Sequence, residues 1–415
     1  MVNMVRPDLP KLKVPICLLV DDWTVGDVWQ EEKDFDRSWE FINDFADLVE
    51  QYEIRGKISF IPYLSTYKSP NPLPLGRIDT GIKGLSPSRL RKFIQVAKER
   101  LLPVFDISPE VLTHTQALDL KTERLLPESE WSWSNWQDEE TLTEYIARGL
   151  EILKAVGITA NGVTSGCDFG REIEGLYVRA MLIAQKEVNN IPLTWYFLHE
   201  EPERRHWSVN PSVQYLDREK AEAVVSIVSG CREYFFFESR GWDKATPENI
   251  SKATDKYLTA DGQAGRIAKL FNDRSCIVFH SHFQRLYGAD DRYGFMILKE
   301  VLHRIDQVLG DRVIWMAPSA LARYWATMKA YEVVTEPGQG QMRLQFRSPF
   351  DCPEFTIKIV LSEKVEISRI SADGRELRRI PVSDSCLSSE SWNQIGNEIF
   401  VCFNMRKNSV INVEF

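Results

Sequence analysis

The stretch Pro15-Ile16-Cys17-Leu18-Leu19-Val20 runs apolar without a polar break and then meets two adjacent carboxylates, Asp21 and Asp22, followed by Trp23. Such a run predicts a strand buried on both faces, which belongs to a parallel sheet covered by helices. In folds of that kind the C-terminal strand ends face the ligand cleft, so Asp21 and Asp22 are expected at its floor. Successive strand residues point in roughly opposite directions. One carboxylate can therefore hold a metal while the other handles a proton. A helix cap or loop acid is the plainer role for a single Asp after a strand, and the pair gains meaning only if matching residues lie at other strand ends.

Strand and helix signals alternate from there to about residue 330. Trp39, Ile42, Phe45, Val49 and Tyr52 fall at helical spacing, Lys57 to Ile61 is β-rich, and Ser86-Pro87 is an N-cap followed by a helix-opening proline. Further strand candidates are Val104 to Ile107, Ile158 to Val163, Pro192 to Leu198, Tyr234 to Phe237, Ser275 to His280 and Val313 to Met316. Helical patterns such as Arg171 to Val188 and Tyr293 to Leu309 lie between most of them. The alternation predicts a parallel α/β architecture, and the strand count favours closure into a (β/α) barrel. Past Ala330 the helical period vanishes, and short β-rich runs separated by Gly, Pro, Asp and Asn predict a small all-β sandwich. The expected division is a barrel over 1–332, carrying the chemistry, and an accessory β-sandwich over 333–415. A tryptophan-dense segment, Trp131, Trp133 and Trp136, reads either as a sugar-stacking platform or, more commonly, as a satellite core cluster.

With 51 basic against 60 acidic residues the formal charge is −9, which argues against a nucleic-acid partner. No apolar run reaches membrane-spanning length, and Met1 to Lys13 lacks the hydrophobic stretch of a secretory signal. The expectation is a cytoplasmic protein without a membrane partner. Its seven cysteines show no paired spacing and no CxxC metal site.

The chemistry gathers around the histidines, of which there are six. His280 and His282 follow the apolar run Cys276-Ile277-Val278-Phe279, and their i, i+2 spacing puts both on one face of a strand end. His114 comes a few residues after another strand candidate, with Asp119 five residues on. Asp–Asp, His and His–His at three strand ends supply the carboxylate and imidazole ligands of a hydrolytic divalent ion, with zinc expected. In this reading Asp22 and His114 bind the ion, and Asp119, His280 or His282 completes the set. Asp21 is the proton acceptor, and His280 or His282 the donor. Gln284 and Tyr287, just past the histidines, are candidates for hydrogen-bonding sugar hydroxyls, although polar surface residues are the simpler account of both.

From Pro15 to Met328 the chain resembles the polysaccharide deacetylase-like family of the glycoside hydrolase/deacetylase superfamily. Val20-Asp21-Asp22 is similar to that family's first motif, whose first Asp is a catalytic base and whose second binds metal. Thr113-His114-Thr115 resembles the start of the second motif, but Leu118 stands where a further His is found, leaving Asp119 as a substitute. The third motif's arginine, which orients the base, has no counterpart in Thr164-Ser165-Gly166-Cys167-Asp168. Trp242-Asp243 faintly resembles the fourth motif, and Ile277-Val278-Phe279-His280 the last, whose His is the general acid. The resemblance implies a distorted seven-stranded barrel, a divalent metal and removal of an acyl group from a carbohydrate, with Trp23, Asp168, Trp242 and Asp243 near the substrate. Two other readings stand beside it: a glycosidase using Asp21 with Asp168 or Asp243, and a degenerate barrel that binds saccharide without turning it over.

Overall fold

A computed structural model of the chain describes residues 2–23, 25, 35–65, 74–200, 209–233, 245–287, 292–381 and 386–415. It is a mixed α/β protein. Strand β1 is Val2–Pro7 and β2 is Val14–Trp23, buried at every position as the apolar run requires. Next come β3, Gly56–Phe60, β4, Phe105–Pro109, and β5, Gly162–Thr164. They are followed by β6, Leu193–Glu200, β7, Glu222–Ser229, and β8, Ile277–His282.

One sheet runs β8-β2-β3-β4, and a second holds β5-β6-β7, with every neighbouring pair among these strands parallel. A single parallel bridge, Glu110 to Thr164, links the ends of β4 and β5, and another, Cys231 to Phe279, links the end of β7 to β8. The short strand Val313–Trp315 also joins β2. It takes the edge below β3: Ile16 O accepts from Met316 N, while Leu18 N donates to Arg55 O.

Helices at Phe35–Tyr52, Pro87–Val96, Glu139–Ala155 and Glu174–Asn189 alternate with β2 through β6. Their apolar stripes pack on the strands; Phe41, Ile42, Phe45 and Val49 of the first are all buried. Ser86 caps the second helix, its hydroxyl accepting from Arg89 N, and proline follows as expected. Between β6 and β7 the described residues form no helix but the strand Ser212–Asp217, antiparallel to β7.

The C-terminal residues build two five-stranded sheets around a shared core that includes Leu344, Phe355, Ile359, Val401 and Ile411. Strand β1 lies in the N-terminal part of the chain but pairs antiparallel with Cys352–Leu361, so the chain starts in the C-terminal sheets before entering β2. Strand β7, which the sequence reading did not anticipate, is a β-branched run, Val224-Val225-Ser226-Ile227-Val228. The strand expected at Tyr234 to Phe237 lies outside the described residues.

Gly56 sets how closely β2 and β3 approach, because an added Cβ would stand 1.8 Å from Leu18 O. Backbone cannot yield as a side chain does. Gly56→Ala is expected to lower unfolding stability by ~3 kcal/mol or more, beyond the usual range for overpacking. A urea midpoint equal to that of the parent would show that the two strands have slack.

Candidate active site

Three strand ends meet in one cleft. β2 ends in Asp21 and Asp22, β4 runs into Glu110 and then His114, and β8 ends in His280, Ser281 and His282. The cleft has a volume of about 770 Å³, and all of these except Ser281 line it.

Asp22, Glu110 and His114 form a buried cluster whose ligand atoms all lie within 4.8 Å of one another. His114 Nε2 is 2.8 Å from Asp22 Oδ1, and His114 Nδ1 is 3.1 Å from Glu110 Oε1. Glu110 is oriented in turn: its Oε2 accepts from Asp22 N at 2.7 Å and from Ser59 Oγ at 2.6 Å. The loop carrying His114 is bolted down by Glu130, a buried carboxylate that accepts from Thr113 N and His114 N at 2.9 Å each and from Tyr145 Oη at 2.8 Å. Gly166 leaves the room that His114 needs, since a Cβ there would stand 2.1 Å from Nδ1.

The backbone is strained around this cluster. Asp22, Val111, His114, Cys167 and Asp168 have φ of 60°, 34°, 56°, 48° and 70°, in the left-handed region that non-glycine residues rarely occupy. For β-branched Val111 this is a marked outlier. Strain of this kind persists where surrounding structure over-determines it, and it gathers at functional sites.

Charge is concentrated here as well. Burial opposes ionisation of Asp22, but His114 and His282 nearby hold its carboxyl well below the usual range. Burial likewise opposes charge on His114, yet Asp22 and Glu110 lift it well above its ordinary value. Glu110 is pushed up to about 7, chiefly by burial, with Asp22 and Asp21 adding to the rise against the pull of His114. Two buried carboxylates around one imidazole make a cluster that a cation stabilises.

Asp21 has separate partners. Its Oδ1 is bonded to the ammonium of Lys57, a fully buried residue of β3 whose Nζ also reaches Thr164 Oγ1 at 2.7 Å. Its Oδ2 lies 3.1 Å from His280 Nε2. Burial would raise the Asp21 carboxyl, but Lys57 and His280 hold it well below the usual range. The other ring nitrogen of His280 is bonded to Glu200. Against the opposing effect of burial, Asp21 and Glu200 push His280 up to about 10. His282 forms a second pair of this type: its Nδ1 is 3.1 Å from Glu233 Oε2, and its N–H donates to Glu233 Oε1 at 2.6 Å.

The structure thus brings Asp21, Asp22, His114, His280 and His282 together, and it separates others from them. Asp119 caps the turn of a hairpin, its Oδ1 accepting from Lys121 N at 2.8 Å, and Glu110 stands where it was expected. Trp23 is fully buried among Phe41, Phe60 and Phe93, with its indole N–H on Ser38 Oγ at 3.2 Å, so it cannot meet substrate. Tyr287 packs against Phe41 and Phe295 and donates to Asp44 Oδ2 at 2.5 Å, away from the cleft. Gln284 and Asp168 do line the cleft, the latter 2.6 Å from Arg171 Nη1. Trp242 and Asp243 lie outside the described residues. Sequence reasoning missed Glu110 and Lys57. Glu110 had a usable signal, a carboxylate at a strand end four residues before His114, whereas Lys57 opens an apolar strand and reads as solvent-facing.

No family model matches the chain, and no curated protein matches it. Solved structures do. A 4-alpha-glucanotransferase from Thermococcus litoralis shows a TM-score of 0.42 at 11% identity over 74% of this chain and 40% of that one, so the chain spans less than half its length. A candidate glycoside hydrolase/deacetylase from Parabacteroides distasonis gives 0.40 at 10% identity, over 85% and 83%. A glycoside hydrolase family 30 xylanase from Clostridium acetobutylicum gives 0.31 at 7% identity, over the whole of both chains. Likenesses this distant carry no weight for activity.

Lys57→Met keeps much of the side-chain volume and removes the charge, leaving Asp21 buried with His280 as its remaining cation. Unfolding stability is expected to fall by ~3 kcal/mol, the low end for removing one partner of a buried pair. Adding Asp21→Asn should restore most of the loss. Equal destabilisation in the single and double variants, measured by urea unfolding, would mean that Lys57 acts through packing.

Proposed function

We propose that this chain is a metal-dependent hydrolase that removes an acyl group, acetyl in the first instance, from a carbohydrate. We read the two linked parallel sheets as a distorted seven-stranded (β/α) barrel and the C-terminal sheets as an accessory β-sandwich. The observation that carries the function is the separation of two clusters in one cleft: Asp22, Glu110 and His114 on one side, and the Asp21–His280 pair on the other.

The donor set fits a divalent ion. Two carboxylate oxygens and one imidazole nitrogen within 4.8 Å of one another suit Zn²⁺, with Asp22, Glu110 and His114 holding it. Bound there, such an ion polarises an acyl oxygen and acidifies a water. The chain's own residues do the rest. Asp21, kept ionised by Lys57, takes the proton from water as its oxygen attacks the acyl carbon. His280, charged between Asp21 and Glu200, gives a proton from Nε2 to the leaving nitrogen or oxygen as the acyl bond breaks. His282, held by Glu233, is the second candidate for this donor. Gln284 and Asp168 stand at the cleft wall to meet sugar hydroxyls.

A glycosidase pairing Asp21 with Asp168 has less support, because Asp168 is exposed and occupied by Arg171. Protein purified without chelator is expected to carry about one divalent ion per chain, bound through the usual three protein ligands. Asp22→Asn, Glu110→Gln and His114→Ala should each lose it. Asp21→Asn should keep the ion while hydrolysis of an acetylated oligosaccharide drops by about 10²–10⁴-fold, the contribution of a positioned general base. Full turnover by Asp21→Asn would remove it from that role. A parent that binds no ion would move the reading to a glycosidase or a saccharide-binding protein.

A further inference from the structure

The tryptophan segment divides into two parts. Trp133 lies 4.5 Å from the ring of Tyr145 and belongs to the core beneath the cleft wall. Trp136 is 85% exposed, more than any other large apolar residue described. An exposed indole that covers nothing withholds a large apolar face from the protein's own stability.

Its backbone is firmly placed. Trp136 N donates to Trp133 O at 3.2 Å, and Asp138 caps the next helix by accepting from Thr141 N at 2.8 Å. The short helix Glu130–Ser134 and its C-cap Asn135, just before Trp136, are tied to the cleft on two sides. Glu130 holds the His114 loop, while Ser134 Oγ accepts from Gly170 N at 2.8 Å and Asn135 Oδ1 from Glu172 N at 3.1 Å. Cys167, Asp168 and Arg171 of that second loop line the cleft. Trp136 follows Asn135, which bonds Glu172 next to the cleft-lining Arg171, so the indole sits on the segment that borders the cleft loop. An indole has only two side-chain torsions to fix, so on a held backbone it binds at low entropic cost.

We infer that Trp136 is an aromatic stacking subsite for a remote ring of an oligosaccharide whose reacting unit lies at Asp21 and Asp22. The inference rests on the proposed carbohydrate function and specifies its substrate as a chain. The electron-rich indole face meets the C–H face of a pyranose. Arg171 and Arg179 nearby are paired with Asp168 and Glu139, which leaves Asp138 and Glu172 at the turn to disfavour an anionic ring, so the occupant is a neutral or amino sugar.

The test is calorimetric binding of N-acetylglucosamine, its tetramer and a tetragalacturonate to the full chain. Trp136→Ala is expected to weaken tetramer binding about three- to tenfold, the worth of one aromatic contact. Trp136→Phe should recover most of that loss, and Val334→Ala, an exposed apolar residue of the C-terminal sheets, should change nothing. Undiminished tetramer binding by Trp136→Ala overturns the subsite while leaving the hydrolase reading intact, as does preference for the tetragalacturonate. Trp136-dependent binding with no hydrolysis of any acetylated member overturns the hydrolase reading and leaves the subsite standing. A parent that binds none of the three overturns both.

Discussion

The contact on which the site depends is the buried one between Lys57 and Asp21. An ammonium taken out of water costs several kcal/mol, and so does a carboxylate. The two are tolerable here only because each answers the other and both have further partners, Thr164 for the lysine and His280 for the aspartate. That arrangement frees the neighbouring Asp22 from Lys57. With φ of 60° the chain turns there, and Asp22 faces Glu110 and His114 instead. Two consecutive carboxylates thus acquire two different sets of partners, in line with the opposite directions that strand alternation gives them.

Glutamates do comparable work behind each histidine. Glu130 fixes the loop of His114, Glu200 bonds His280, and Glu233 gathers Ser281 and His282 through both of its oxygens. Each is distant in sequence from the histidine it serves, except Glu130, which lies sixteen residues on. A carboxylate behind an imidazole fixes its orientation and raises its charge. The histidine rings are therefore set before any ligand arrives, as a preorganised site requires.

What was legible in the sequence follows from this. Asp21, Asp22 and the β8 histidines were visible because each ends a run of apolar residues, and burial is written directly into such runs. The alternation of strands and helices was visible for the same reason, through the apolar stripe of each helix. Lys57 was not, because nothing local marks a lysine as buried; its partner is thirty-six residues away and on another strand. Asp119 is suggested, beside His280 and His282, by its proximity to the resemblance's missing histidine, yet it ends a hairpin strand, and the carboxylate that reaches His114 is the one four residues before it, Glu110, which that reading does not single out. Strand β7 was missed because an antiparallel strand stands where a helix would have punctuated the pattern.

The absence of an arginine in Thr164-Ser165-Gly166-Cys167-Asp168 has a steric meaning as well. Gly166 lies so close to His114 that even a Cβ would collide, so no long cation can be sent toward Asp21 from that position. The positive charge instead rises from below, on the side chain of Lys57, through the interior beside Phe197, whose ring centroid lies 5.1 Å from Nζ. A cation delivered from beneath leaves the upper side of Asp21 to His280 and the cleft. The two features are linked: a His114 pressed against Gly166 excludes a long side chain at that position, and the cation beside Asp21 comes from the buried lysine on β3 instead.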